Sequence, residues 1–353
     1  MSDTATISKP KGRLNGLEAL RGLAAAYIVV HHYGASANWP IRKFLAFGPL
    51  AVMVFFILSG FVIYLSSGIE KGAFNVGDYA KKRALRILPP YWAALLLAYL
   101  VSSYNNSSWD SFKAGPLVRN MFFLVETHTV HGAFPYKHNS PIWSLSYEAW
   151  FYVFFAIIAL ITKGNFVAMR KYAVGLSAIG IVTVWVLPNP VSLYAVLFIV
   201  WWMGVELAHE YATTGSVSFR GQRDAYLMLG GIAVLWFARM LGWRLQGHRM
   251  WDAYPLMPLK QMAYAAAIVA IALYWFTKSM RGFHSLVGPF RYLSKVSYGL
   301  YIFHFPLVLL AADQQFTRNS YIDLVWFVPS LLIIAYVFDY QLHRLCLWAT
   351  RRR

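Results

Sequence analysis

Long apolar stretches alternate with short polar segments along this chain, and that pattern limits what the chain can fold into. Each stretch is close to the about 20 residues that a helix needs to cross a bilayer. The predicted spans are 17–35, 44–66, 87–103, 142–162, 172–188, 191–209, 225–241, 256–277, 296–312 and 322–343. The pattern therefore predicts an all-α, polytopic integral membrane protein with about ten transmembrane helices.

Composition agrees with this fold class. Hydrophobic residues make up 59% of the 353 residues and charged residues only 13%, whereas a soluble domain carries about 25% charged residues. The net charge of +18 could indicate a nucleic-acid partner, but no basic block is interleaved with a recognisable reader motif. We therefore expect no nucleic-acid partner, and expect the lysines and arginines to fix topology and to contact anionic lipid of the bilayer.

The chain offers little for metal or disulfide chemistry. Cys346 is the single cysteine, which excludes an intramolecular disulfide and a cysteine-based metal site. His128 and His131 have His-x-x-His spacing, with Glu126 and His138 nearby, but one such pair in a loop is a poor metal signature. We predict no metal and no permanently bound cofactor.

Charge distribution predicts the topology. With the N-terminus in the cytoplasm, most of the 32 lysines and arginines fall on the cytoplasmic side, as the positive-inside rule requires. Both termini are then cytoplasmic, in a multi-pass protein of the cell's inner or plasma membrane. The predicted organisation is a cytoplasmic segment 1–16, a transmembrane domain 17–345 and a basic cytoplasmic tail 346–353. The longest polar excursion, 104–141, lies outside, and loops of this length are often functional.

The first span carries two ionisable residues on one helical face. Arg21 and His32 are eleven positions apart, which on a helix returns to nearly the same direction with a rise of roughly 16 Å. Ionisable groups inside a bilayer usually mark a pathway or a site. The alternative is that His31 and His32 lie at the outer interface and bond to carbonyls or lipid.

A basic cluster precedes the third span. Arg83 and Arg86 lie on one helical turn, and Lys82 comes directly before them. Guanidinium groups can bind phosphate bidentately. The alternative is that these residues are topology signals and bind no ligand.

Two further segments place polar residues inside spans. Glu148, in the segment that begins at Trp143, lies one to two turns within the fourth span, where a carboxylate could act as a general base or as the acid partner of a histidine. Ser297, Tyr301 and His304 share one helical face in the ninth span. The alternatives are a structural hydrogen bond for Glu148 and ordinary packing for the second group.

Taken together, these segments resemble the membrane acyltransferase-3 family. The resemblance spans residues 20 to 304 and rests on five motifs in the same order. They are Leu20-Arg21-Gly22-Leu23-Ala24-Ala25 followed by His32, Phe55-Phe56-Ile57-Leu58-Ser59-Gly60-Phe61, Arg83-x-x-Arg86-x-x-Pro89-x-Tyr91-Trp92, Trp143-Ser144-Leu145-Ser146-Tyr147-Glu148, and Ser297-Tyr298-x-x-Tyr301-x-x-His304.

The resemblance implies a ten-helix domain that moves an acyl group, usually acetyl, from cytoplasmic acyl-coenzyme A to a hydroxyl of an extracytoplasmic glycan. The glycan would be an exopolysaccharide, an O-antigen or a lipid-linked sugar, and acetyl-coenzyme A would be a co-substrate. A stand-alone member without a fused hydrolase-like domain is expected. Many members have a second acidic residue after the glutamate, whereas Ala149 follows Glu148 here.

The resemblance also implies roles for the candidate residues. His32 is expected to act as a general base or as a transient acyl carrier, and Glu148 to orient or deprotonate it. The expected acyl-coenzyme A ligands are Arg21, Lys82, Arg83 and Arg86. An acceptor or proton path is expected to include Trp143, Tyr301 and His304, and the outer loop 104–141 is expected to influence the choice of acceptor.

Two other functional classes remain open from the sequence. One is a transporter or flippase of a lipid-linked sugar or polar solute, because intramembrane His, Glu and Arg also serve proton relays. Transport folds often show a matched pair of broken helices in their two halves, and the sequence shows no such pair. The other is a non-catalytic assembly partner of envelope enzymes.

Overall fold

The computed structural model describes residues 11–105, 114–126, 134–247, 256–278, 281–314 and 319–351, and the regular structure in these ranges is helical throughout. The α-helices are α1 (Lys11–Ser36), α2 (Gly48–Ser66), α3 (Val76–Asn105), α4 (Ala114–Met121), α5 (Trp143–Ile161), α6 (Phe166–Val186), α7 (Pro190–Thr214), α8 (Arg223–Leu245), α9 (Met257–Thr277), α10 (Phe283–Val287), α11 (Ser297–Gln314), α12 (Ser320–Ala335) and α13 (Leu342–Arg351). A 3₁₀ segment, Gly288–Val296, leads into α11, and a π-helical segment, Tyr336–Gln341, joins α12 to α13.

The predicted fold class is confirmed. Among the described residues, nine helical segments are long and apolar enough to cross a membrane, and they coincide with the predicted spans from 44–66 onward. The remaining predicted span, 17–35, lies in α1. That helix has 26 residues but does not reach the same apolarity, because Arg21, His31 and His32 lie within it.

Some sequence predictions fall at the limits of the described structure. The predicted boundary at 345–346 lies inside α13, which continues the membrane span Ser320–Thr350. Residues 1–10 and the parts of the outer loop at 106–113 and 127–133 lie outside the described residues. The weak histidine pair, His128 and His131, belongs to that part of the loop.

Asparagine side chains start three of the spans. The Asn165 side chain accepts from the Ala168 N–H at 3.0 Å at the start of α6, and Asn189 accepts from the Ser192 N–H at 2.9 Å at the start of α7. Asn319 does the same for the Tyr321 N–H at 3.0 Å in α12. Because the first N–H groups of a helix have no intrahelical partner, these caps fix where the helices begin.

Helix α7 forms the centre of the bundle, and 94% of the residues in its most apolar stretch are buried. It packs closely on α2 at two glycines. A Cβ at Gly204 would lie 2.0 Å from the Ile57 carbonyl oxygen, and a Cβ at Gly60 would lie 2.2 Å from the Trp201 carbonyl oxygen. Small residues allow such close approach of helix backbones, as is common within membranes.

Prolines inside two spans leave backbone carbonyl groups without their helical donors, and side chains from other segments lie within hydrogen-bond distance of these carbonyls. Pro306 in α11 has no N–H to offer the Ile302 carbonyl, and that carbonyl instead accepts from Asn139 Nδ2 at 3.3 Å. Pro89 in α3 leaves the Leu85 carbonyl without its helical donor in the same way. His343 Nδ1 lies 3.2 Å from that oxygen, so the prolines tie α3 and α11 to distant segments.

Candidate active site

Helices α1, α2, α3, α5, α11 and α13 enclose a cavity of about 340 Å³, called here the basic cavity. Six of the nine candidate site residues line it: Arg21, Lys82, Arg83, Arg86, Glu148 and Tyr301. Its remaining walls include Phe55 and Phe56 from α2. The fold thus gathers basic residues from two helices and a carboxylate from a third around one space.

The arginines of the basic cavity differ in their partners. Among the described residues, neither Arg21 nor Arg83 forms an ion pair, and Arg83 Nε is buried without a hydrogen-bond partner. A buried polar group without a partner is costly, so the cavity favours an anionic ligand that would satisfy it. Phosphate oxygens have the right chemistry for such a site.

Arg86, in contrast, is already paired. It donates to Asp339, whose side chain is fully buried and whose other oxygen accepts the Gly299 N–H at 2.8 Å. Asp339 lies in the π-helical segment, and short π-helical turns are frequent at functional sites. One carboxylate therefore holds Arg86 at the cavity and also binds the first turn of α11.

Glu148 is held on the cavity wall by a short chain of hydroxyl groups. The Tyr152 hydroxyl, one helical turn later, donates to the Glu148 carboxylate. Because that hydroxyl gives its proton to Glu148, Ser59 Oγ, 2.9 Å away, donates to Tyr152. Sequence reasoning missed Tyr152 and Ser59, although the i, i+4 spacing of Glu148 and Tyr152 is a signal that it could have used.

His32 and His304 form a pair in the bundle interior. His32 Nδ1 lies 3.0 Å from His304 Nε2 and 3.1 Å from the Ile28 carbonyl oxygen, and His304 Nδ1 lies 2.8 Å from the Tyr301 carbonyl oxygen. A carbonyl oxygen can only accept, so His304 carries its proton on Nδ1 and its Nε2 accepts from His32. This order of donors leaves the Nε2 lone pair of His32 available as a base or a nucleophile.

His31 has a different position from its neighbour. Its Nδ1 lies 2.5 Å from the Leu45 carbonyl oxygen, and its ring rests against Gly48, where a Cβ would approach to 2.7 Å. His31 therefore joins α1 to the loop before α2. Its bond to a backbone carbonyl is the kind of contact that the alternative interpretation of the two histidines expected.

Tyr301 stands between the basic cavity and the histidine pair. It lines the cavity and lies one turn before His304, while neither His32 nor His304 is among the described lining residues. Its hydroxyl donates to the Pro141 carbonyl at 2.6 Å and is 2.7 Å from Ser144 Oγ. Tyr301 therefore forms part of the wall that separates the two groups.

The structure thus groups the predicted residues differently from the expectation. The hydrogen bond to His32 that was expected from Glu148 is made by His304, and Glu148 bonds to Tyr152. Trp143 lies outside the described cavity lining and packs edge-on against Tyr147, with ring centroids 5.4 Å apart.

Comparison with known proteins gives a family match over most of the chain. A family model described as an acyltransferase domain matches residues 14–340. The Staphylococcus aureus (strain COL) protein named "Putative O-acetyltransferase SACOL0978" is 26% identical over 152 residues, which are 40% of this chain and 24% of that protein. "O-acetyltransferase OatA" of S. aureus (strain NCTC 8325 / PS 47) is 24% identical over 187 residues, or 48% of this chain and 29% of that protein. This chain therefore matches only about a quarter of the length of these curated relatives. No solved structure matches it.

Proposed function

The chain belongs to the acyltransferase family whose model covers residues 14–340, and we propose that it is a membrane O-acetyltransferase that uses acetyl-coenzyme A. The acceptor is a hydroxyl of a glycan on the opposite side of the bilayer. The relatives named O-acetyltransferases support the reaction class. The membrane is the cell's inner or plasma membrane, with the basic cavity on the cytoplasmic side.

One observation carries the choice of donor: the basic cavity holds arginines that have no carboxylate partner among the described residues. Coenzyme A carries several phosphates on a long flexible arm. Arg21, Lys82 and Arg83 bind these phosphates, and Arg86 adds a positive charge that Asp339 holds in place. A nucleotide-like anion at this position satisfies the buried Arg83 Nε.

The donor arm then runs along α1. Arg21 and His32 lie on nearly the same face of this helix, with a rise of roughly 16 Å between them. This rise sets the distance between the bound phosphates near Arg21 and the thioester near His32. Glu148 lines the same route and accepts hydrogen bonds from the amide N–H groups of the arm. The side chain of Tyr301 moves aside to let the thioester reach His32.

The transfer step uses the free Nε2 of His32. This atom takes the proton of the acceptor hydroxyl while the hydroxyl oxygen attacks the thioester carbonyl. The carbon–sulfur bond breaks, and the proton passes from His32 to the departing sulfur, so free coenzyme A and an acetyl ester result. His304 keeps His32 in the required tautomer throughout.

A covalent variant of this step is chemically distinct. His32 Nε2 would attack the thioester carbonyl, the carbon–sulfur bond would break, and coenzyme A would leave as a thiolate. The acceptor hydroxyl oxygen would then attack the acetyl carbon, the bond to Nε2 would break, and the hydroxyl proton would pass to the freed Nε2. Labelled acetyl trapped on the protein in the absence of acceptor, and absent in His32→Ala, would identify this route. No label on the wild-type protein would identify direct transfer.

The donor proposal is tested by calorimetry on the purified protein in detergent. Wild type is expected to bind acetyl-coenzyme A saturably, and Arg21→Ala to lose at least about tenfold in affinity because a charge-assisted contact to phosphate contributes about 1.5–3 kcal/mol. Arg220→Ala, at an exposed position outside the cavity, is the matched control and should bind as wild type does. Absence of binding by folded wild type contradicts the proposed donor.

A further inference from the structure

A second pocket lies at the other end of α1, where α1, α11 and α12 meet. It has a volume of about 250 Å³ and is called here the outer pocket. Its lining includes Tyr33, Ser36, Asn38, Val308, Ser320 and Asp323. Arg21 lies toward the opposite end of α1, so the outer pocket and the basic cavity open at different ends of the bundle.

The outer pocket lies next to the histidine pair, one turn further along α1 and α11. Ser36 lies four residues after His32 on α1, and Val308 lies four residues after His304 on α11. Residues four apart share a helical face, one turn or about 5.4 Å further along the axis. A molecule in the outer pocket therefore sits about one helical turn from His32.

Its lining combines several hydrogen-bonding groups with a carbon wall. Asp323 contributes a carboxylate that is only 4% exposed, while Ser36 and Asn38 contribute a hydroxyl and an amide at exposed positions. Val308 and the small residues Ala311 and Ala312 form the apolar wall. A pocket of mixed apolar surface and a few convergent polar groups is typical of small-molecule sites.

An aromatic pair, Trp39 and Tyr321, adjoins the outer pocket through the lining residue Ser320. The rings of Trp39 and Tyr321 stack with centroids 5.1 Å apart and planes 8° from parallel, and 58% of Tyr321 is exposed. Trp39 Nε1 donates to Ser320 Oγ at 3.1 Å, and the Tyr33 hydroxyl donates to the Ser320 carbonyl at 2.7 Å. The aromatic pair thus lies beside the polar groups of the pocket, and a sugar ring offers the matching C–H face and hydroxyl edge.

We propose that the outer pocket binds one neutral pyranose ring of the acceptor and directs one of its hydroxyl groups toward His32. This inference rests on the proposed acyl transfer and adds to it the position and the chemical class of the acceptor site. It also assigns selection of the acceptor to the junction of α1 and α12, whereas the sequence suggested the loop 104–141.

Binding is tested without any transfer reaction, in a variant whose single cysteine is replaced, Cys346→Ser. Ser36→Cys is introduced into this background and labelled with a maleimide. Methyl glycosides of glucose, galactose, mannose and N-acetylglucosamine are the probes. At least one is expected to slow labelling at position 36 threefold or more. Ala35→Cys, on the same turn of α1 but outside the described pocket lining, should label at an unchanged rate.

Two results overturn the proposal: no protection of position 36 by any of the four glycosides, or equal protection of both positions. A second variant, Ser36→Trp, fills the outer pocket. It should bind acetyl-coenzyme A as wild type does but transfer at least tenfold less labelled acetyl to membrane vesicles of the source cells, whereas Ala35→Trp keeps transfer. Unchanged transfer by Ser36→Trp also overturns the proposal.

If the proposed function is wrong, calorimetry and cysteine labelling give a different combination of results. In that case the wild-type protein does not bind acetyl-coenzyme A in calorimetry, while the glycosides still protect position 36. Donor binding together with an unprotected position 36 leaves the acyltransferase proposal in place and rejects the acceptor site.

Discussion

His32 Nδ1 lies 3.0 Å from His304 Nε2, although 272 positions separate the two residues in the chain. The contact favours the His32 tautomer with the proton on Nδ1, because the Tyr301 carbonyl fixes the tautomer of His304, and the Ile28 carbonyl oxygen, 3.1 Å from His32 Nδ1, favours the same tautomer. In many hydrolases and transferases a carboxylate orients the catalytic histidine. Here a second, fully buried histidine occupies that position.

His304→Ala should therefore lower acetyl transfer by about 10² or more, within the range that general-base catalysis contributes, without changing the affinity for acetyl-coenzyme A. His304→Gln should recover part of the rate, because an amide oxygen can accept from His32 Nδ1. Transfer of labelled acetyl to vesicles and calorimetry measure the two effects. Equal rates for the alanine and glutamine variants would contradict an orienting role.

Arg83 should recognise the phosphates of the donor and not its thioester arm. Arg83→Ala is expected to lower the affinity for acetyl-coenzyme A by about tenfold or more, yet to leave unchanged the affinity for acetylpantetheine, which has no phosphate. Competition binding with both compounds gives the two affinities. A similar loss for both ligands would show that the substitution disturbs the cavity as a whole.

Arg86 should contribute to stability as well as to donor binding. Arg86→Ala leaves Asp339 buried and charged without its partner, and loss of one member of a buried pair costs about 3–5 kcal/mol; because Arg86 is partly exposed, the lower end is expected. Adding Asp339→Asn removes the stranded charge and should restore a large part of the lost stability. Thermal unfolding in detergent measures this. No recovery in the double variant would contradict the pairing.

The glycine contact between α2 and α7 should be sensitive to a single methyl group. Gly204→Ala places a Cβ against the Ile57 carbonyl and should lower the free energy of unfolding by about 1–3 kcal/mol, as overpacking does. Gly231→Ala on α8 is the matched control, because nothing lies within 4 Å of its added Cβ. It should be as stable as wild type or more so. Equal stability of the two variants would argue against the close α2–α7 packing.

Much of the fold could be predicted from the sequence because hydrophobic length alone sets where helices cross a bilayer. Helix α1 is the exception. In α1 the candidate site residues Arg21 and His32 are among the polar residues that lower the apolarity of the helix, so α1 is not among the nine apolar spans of the described residues.

The site was predictable only within single helices. Spacing along one helix shows that Arg83 and Arg86 lie close together, and the basic cavity contains both. Contacts between helices follow from packing, which one sequence does not reveal. For this reason Glu148 was expected to partner His32, and neither the His32–His304 pair nor the Arg86–Asp339 pair could be anticipated.

The central claim is that the phosphate site and the transfer site are separate, and His32→Ala tests it most directly. In vesicles of the source cells, this variant should bind acetyl-coenzyme A with wild-type affinity but transfer labelled acetyl at least about 10² more slowly, since it lacks the base. His284→Ala, at an exposed position, should match wild type in both. Wild-type transfer by His32→Ala, with the protein inserted normally, would contradict the account.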